Sequence, residues 1–183
     1  MKAVRLIRSR TVALPVENVD TDRIIPARFL VTTTREGLAK GLFADWQWEK
    51  PEGARVLVAG RNFGCGSSRE HAVWALLAGG FDAVVSPAFA DIFRTNALKN
   101  GLVPVQVDEA THALLVEAPG TEVTIDLEEQ TIAFGTRRAG FPLEPFARYC
   151  LLNGTDELDF LLSREREISA FEEKAGPAPW RSS

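Results

Sequence analysis

The sequence predicts an α/β fold of three layers, a β/β/α arrangement around a central, largely parallel sheet. Three observations predict it. The apolar runs at residues 55–59 and 82–85 are too continuous for half-exposed hairpin strands and read as strands buried on both faces. Segments with helical punctuation lie between the runs, so strand and helix alternate through the middle of the chain. Further strand-like segments precede and follow that alternation. The 183 residues, 45% apolar and 25% charged, suit a single domain with its own core. One domain over residues 1–175 is expected, with a disordered tail over 176–183.

Taken in order, residues 3–13 are rich in Val, Leu and Ile and read as a strand. Residues 17–29 begin polar and end in Ile24-Ile25-Pro26, where the proline argues against a helix. A long ordered loop or a strand end is expected there. Residues 31–51 hold Gly37, Gly41, Phe43, Trp46 and Trp48 and read as an irregular excursion with aromatic anchors. After the strand at 55–59 comes a glycine-rich turn, then a helix over 68–78 stopped by Gly79-Gly80. A helix over 89–100, closed by Gly101, is expected to bury Phe89, Ile92, Phe93 and Leu98. Asp91 and Arg94 would form a solvated (i, i+3) pair on it, and Asn96 could approach a site at the sheet edge. Residues 102–107 read as a strand, 109–118 as a short helix, and 121–127 with 130–135 as a hairpin. Residues 143–174 read as helical, with a break near Asn153-Gly154.

Composition excludes several function classes. A net charge of −4 without a basic stripe argues against nucleic acid as a partner. No apolar run approaches the roughly 18 residues of a membrane span. The first residues lack the apolar stretch of a secretory signal. Cys65 and Cys150, the only cysteines, are far apart and lack metal-ligand spacing, which points to a reducing, cytoplasmic setting. With two cysteines and two histidines, the chain cannot assemble a four-thiolate zinc or iron–sulfur site alone.

The segment with most chemical content is Gly64-Cys65-Gly66-Ser67-Ser68-Arg69-Glu70-His71. Its glycines allow close backbone approach. Free amides at a helix start attract anions, and Arg69 adds a planar fork suited to a carboxylate or phosphate. Without a Lys-Ser/Thr ending it does not suit a nucleotide triphosphate. Ser67 and Glu70 also fit the spacing of a capping box, which needs no function, so a cap and an anion site both remain open. Asn18-Val19-Asp20-Thr21-Asp22 could hold a hard cation on Asp20 and Asp22, but two carboxylates are few for that. A hydrogen-bonded loop that fixes its neighbours is the better reading.

Together these segments resemble one family, the small subunits of 3-isopropylmalate dehydratase in the aconitase superfamily. The matching residues are Asn18 to Asp22 with Ile24-Ile25-Pro26 and Phe29-Leu30, then Asn62-Phe63 with the Gly64 to His71 block and Trp74-Ala75-Leu76. Phe89-Ala90-Asp91-Ile92-Phe93, Asn96, Leu102-Val103-Pro104-Val105 and the tract from Phe146 to Gly154 complete them, so the resemblance runs over residues 3–174. It implies a swivelling domain like the last domain of aconitase, and a large subunit that carries a 4Fe-4S cluster. The implied reaction converts 2-isopropylmalate to 3-isopropylmalate in leucine biosynthesis, by loss and readdition of water. It implies Ser67 as the base, in alkoxide form, with Arg69 and Ser68 binding a substrate carboxylate while the hydroxyl leaves to the partner's iron. Asp20, Thr21, Asp22, Glu70 and His71 are candidate supporting residues. Cys65 would be a small residue in a tight turn, not a cluster ligand. Some relatives carry an arginine where this chain has Val31, so Arg28 or Arg35 is a candidate replacement, and the apolar Val31 favours an isopropyl group. A related hydro-lyase acting on homoaconitate, citramalate or dimethylmalate is the nearest alternative. The helix start by itself would also suit a non-catalytic anion-binding assembly domain.

Overall fold

The structure, a computed structural model, describes residues 2–31, 34–48, 50–67 and 69–175, apart from the side chains of Arg35 and Ala175. The tail expected over 176–183 lies outside these residues. Strand β1 (Leu6–Leu14) leads into a short helix α1 (Thr21–Ile24), a 3-10 turn (Ala27–Phe29) and helix α2 (Arg35–Gly41). The alternating middle is β2 (Ala54–Ala59), α3 (Glu70–Ala78), β3 (Ala83–Ser86), α4 (Asp91–Asn100), β4 (Val103–Gln106) and α5 (Glu109–Glu117). Strands β5 (Glu122–Asp126), β6 (Thr131–Phe134) and β7 (Arg137–Gly140) follow, then α6 (Pro145–Asn153), α7 (Glu157–Ser163) and α8 (Glu165–Ala175).

The sheet order is β4-β3-β2-β1-β5-β6-β7. The first four of these strands run parallel, and β5 turns the sheet antiparallel by pairing with β1. Parallel strands with both faces covered need apolar residues throughout, and β3 is buried at every position. One core cluster joins Leu57 and Val84 of the sheet to Ala72, Val73 and Leu76 of α3 and to Phe93 of α4. The other joins Val56, Val85 and Val105 of the parallel half to Val123, Ile125 and Ile132 of the antiparallel half, with Leu115 and Leu151. The parallel strands therefore have α3 and α4 on one face, and the antiparallel part of the sheet with α5 and α6 in the core of the other. That is the expected β/β/α layering.

Five expectations need correction. Residues 17–29 are not plain loop, because Asp20 caps α1 by accepting from Arg23 N at 2.8 Å, and the turn closes before Pro26 interferes. The excursion over 31–51 contains α2, capped by Thr34. Its aromatic anchoring holds, with Phe43 edge-on to Trp46 and Trp48 at 6.0 and 5.0 Å. Residues 130–140 form two strands, as Gly135 at positive φ reverses the chain into β7. Ile92 is 51% exposed because it lies on the outer face of α4, one position before the buried Phe93, and Asp91 forms no ion pair with Arg94.

Carboxylates cap two of the surrounding helices. Asp108 accepts from the Thr111 amide, and Glu144 from the amides of Phe146 and Ala147. These bonds hold both carboxyls below the usual carboxylate range. A folded pKa below the unfolded one gives stability that is complete above the unfolded pKa and fades as pH falls through the folded pKa. Melting temperature is therefore expected to be level from neutral pH down to about pH 5, then to fall. The Asp108→Asn, Glu144→Gln variant should show a shallower acid limb in a melting series, since amides keep the acceptor without titrating. An unchanged limb would remove the caps as its cause.

Candidate active site

The chain leaves β1 at Leu14 and β2 at Ala59, two neighbouring parallel strands. Their carboxyl ends are where open α/β sheets hold ligands, since the loops there can converge without crossing the sheet. The two outgoing loops are laced together in register. Asn62 Nδ2 donates to Asn18 Oδ1 at 2.8 Å, and Gly64 N to Val19 O at 2.8 Å. Thr21 N donates to Cys65 O at 2.9 Å, and the Thr21 hydroxyl to Ser67 O at 3.1 Å. Arg69 and Asp22 close the series with an ion pair. The loop after β3 joins from the other side, where Ala90 N donates to Phe63 O at 3.1 Å.

Glycine is required at one point of this lacing. Gly64 has φ +78°, and a Cβ there would collide with the Phe93 ring in the core. Gly64→Ala is therefore expected to cost about 2–4 kcal/mol from backbone strain and overpacking together. Denaturant unfolding would read this; a cost under about 0.5 kcal/mol, as for an ordinary surface change, would mean the turn is not held as described.

The expected capping box between Ser67 and Glu70 does not form. Helix α3 starts at Glu70, its cap position is Arg69 in extended conformation, and no side chain among the described residues bonds its first amides. The cause lies upstream: Gly66 at φ +90° turns the chain, Thr21 holds the Ser67 carbonyl, and Asp22 draws Arg69 sideways. The first turn of α3 thus keeps donors that no described side chain caps, and these would be available to an anion. Ser67 is exposed, with no partner for its hydroxyl among the described residues. Asp22 engages one terminal nitrogen of Arg69, which leaves other N–H donors of the fork to reach a ligand. Ser68 lies outside the described residues.

The remaining candidates fall into place around this centre. Asp20 is spent as the cap of α1. Glu70 is exposed and its carboxylate lies 3.5 Å from Asn100 Nδ2. His71 is half-buried and rests on Trp74, ring centres 4.7 Å apart, while Trp74 Nε1 donates to Asn100 Oδ1 at 2.9 Å. Arg28 lies across the Phe29 ring and is paired with Asp45 through both terminal nitrogens. That pairing holds the Arg28 guanidinium above its ordinary pKa and the Asp45 carboxyl below its own. The backbone of Arg35 opens α2, and its side chain is outside the described part. Val31 is 89% exposed at the end of the 3-10 segment. The pairings Asn18–Asn62 and Arg28–Asp45 had no signal in the sequence beyond residue type.

A family model described as the aconitase C-terminal domain matches residues 46–110, a range that includes the Gly64–Arg69 loop but not the Asn18–Asp22 loop. Over 187 aligned residues the chain is 57% identical to the 3-isopropylmalate dehydratase small subunit of Anaeromyxobacter sp. strain K, covering 94% of this chain and 98% of that protein. The chain belongs to the 3-isopropylmalate dehydratase small-subunit family. A 3-isopropylmalate dehydratase small subunit from Roseiflexus sp. strain RS-1 is 54% identical, with 94% of each chain covered. Among solved structures, 3-isopropylmalate dehydratase from Methanocaldococcus jannaschii superposes with a TM-score of 0.70 at 32% identity, covering 91% of this chain and 99% of that one. In this chain Ser67 is exposed and Arg69, two residues on, is half-buried and paired with Asp22. Among its described residues no group of three or more His, Cys, Asp or Glu could hold a metal ion. Cys65 is committed by its backbone to the Asp20 bridge, and Cys150 is buried on α6, where burial pushes its thiol pKa up. The residues present do not fit an iron–sulfur cluster. No helix among the described residues is long and apolar enough to cross a membrane.

Proposed function

We propose that this chain is the small subunit of a cytoplasmic hydro-lyase that interconverts 2-isopropylmalate and 3-isopropylmalate, and that its Ser67–Arg69 wall completes an active site on the large subunit. The observation that carries this reading is the lacing of the Asn18–Asp22 loop to the Gly64–Arg69 loop. It holds an exposed serine beside an oriented arginine at a helix start that no described side chain caps. The 4Fe-4S cluster implied by aconitase kinship belongs to the large subunit in this reading.

Each residue then has a stated task. Arg69, with Ser68, binds a carboxylate of the substrate through charge-assisted hydrogen bonds. Asp22 is a positioning residue that fixes the guanidinium, and Thr21 fixes the backbone of Ser67. Ser67 Oγ takes the proton from the carbon next to a carboxylate, the electron pair left behind forms the C=C bond of 2-isopropylmaleate, and the hydroxyl departs on the large-subunit side. Water then adds its hydroxyl at the carbon that lost the proton, and Ser67 delivers its proton to the carbon that lost the hydroxyl, so the hydroxyl has moved by one carbon. A serine alkoxide is poorly stable in water, so positive potential at the base is required, and Arg69 with the free amides of α3 supplies it. The exposed apolar Val31 suits a substrate with an isopropyl arm in place of a second carboxymethyl arm.

The test is reconstitution with the large subunit under anaerobic conditions, supplying 2-isopropylmalate and a homocitrate-type triacid in parallel. Turnover of 2-isopropylmalate is expected. A preference for the triacid would overturn the substrate assignment.

A further inference from the structure

We infer that the outer face of helices α7 and α8 is the surface on which the large subunit docks; this rests on the reading that the chain works as half of a heteromer. Helix α7 turns Phe160 inward, edge-on to Phe146 and Tyr149 of α6 at 5.0 and 5.6 Å, and Glu157 meets Lys99 of α4 at 3.4 Å. Leu158, Leu161 and Leu162, at i, i+3 and i+4, are left on the other side and are more than half exposed. In α8 every described side chain is exposed, with Phe171 at 71% and Ile168 on the same helix. Lone exposed apolar residues are common on any surface, but five on two consecutive helices are a concentration of the kind that marks an interface.

Two further observations choose the occupant. The first is position. Leu158 also lines a cavity of about 640 Å³ between α4 and the α6–α7 pair, whose wall includes Leu98, Arg94 and Glu70. Glu70 follows Arg69 in the chain. Leu158 of this apolar set and Glu70, next in the chain to Arg69, thus line the same cavity, which places the set beside the proposed wall. The second is charge. Residues 157–174 carry six acidic and three basic side chains, most of the net −4 of the whole chain. Two copies of this face would set like charges against each other, whereas an apolar groove with a basic rim complements it.

The test is the equilibrium affinity of the full-length chain for the large subunit. Leu161→Lys with Phe171→Lys is expected to weaken it at least tenfold, with an unchanged melting temperature for the isolated chain, since both residues are already exposed. Phe171→Lys alone serves as a check should the double variant melt lower. Glu167→Lys with Glu172→Lys and Glu173→Lys should also weaken the heteromer; if a second copy were the occupant, this variant would instead tighten self-association. Unchanged affinity in the lysine variants, or a wild-type dimer that they dissolve, would overturn the inference. Failure of the wild-type chain to bind the large subunit at all would overturn the functional reading beneath it.

Discussion

Replacing Ser67 with alanine is expected to reduce kcat of the reconstituted enzyme by about 10²–10⁴-fold, the usual contribution of a positioned base. KM should change little, because the carboxylate contacts are assigned to Arg69 and Ser68. Stability should be unaffected as well. The side chain is exposed, its hydroxyl has no partner among the described residues, and the bond that fixes the loop runs to its backbone carbonyl. Steady-state kinetics on 2-isopropylmalate, with a melting curve of the variant, separates these outcomes. Full activity in Ser67→Ala would remove the assigned base, and a large loss of stability would show that Ser67 is structural.

The second large effect is expected at Arg69. Arg69→Lys keeps the charge and removes the fork, so it leaves the substrate carboxylate with a single point contact and breaks the match to Asp22. Hydrogen bonds to charged groups contribute about 1.5–3 kcal/mol each, so a total loss of about 2–4 kcal/mol, roughly 30- to 1000-fold in kcat/KM, is expected. Asp22→Asn should cost less, about two- to fivefold, since it frees the guanidinium without removing it and the pair is partly exposed. The order matters: an Asp22→Asn loss as large as that of Arg69→Lys would make Asp22 a direct participant. Equal kinetics for Arg69→Lys and wild type would show that the clamp lies elsewhere.

Much of this was legible in the sequence, and the gaps have physical causes. The buried strands β2 and β3 announced themselves because both faces must be apolar in a covered parallel sheet. The helix ends at Gly79 and Gly101 were equally plain. Helix α1 was hidden because Pro26 lies just past it, and a proline only forbids the conformation of its neighbour, not a turn that has already closed. Strand β7, Arg137-Arg138-Ala139-Gly140, is mostly exposed and has no apolar face to read. At the site, Ser67, Arg69 and Asp22 were all named as candidates, yet the spacing of Ser67 and Glu70 suggested a capping box that is absent. The cause is a contact from a loop more than forty residues earlier, where Thr21 and Asp22 hold the segment extended, and local spacing carries no trace of such a partner.

The most direct measurement mixes proteins in defined ratios. A fixed amount of the large subunit is titrated with this chain, and turnover of 2-isopropylmalate is followed, then Ser67→Ala is added as a competitor. The account predicts no turnover by either subunit alone and a rate that rises to a plateau as the chain saturates its partner. It also predicts that the rate falls in proportion to the share of sites taken by Ser67→Ala. Turnover by the large subunit alone, or an undiminished rate when Ser67→Ala occupies the sites, would contradict it.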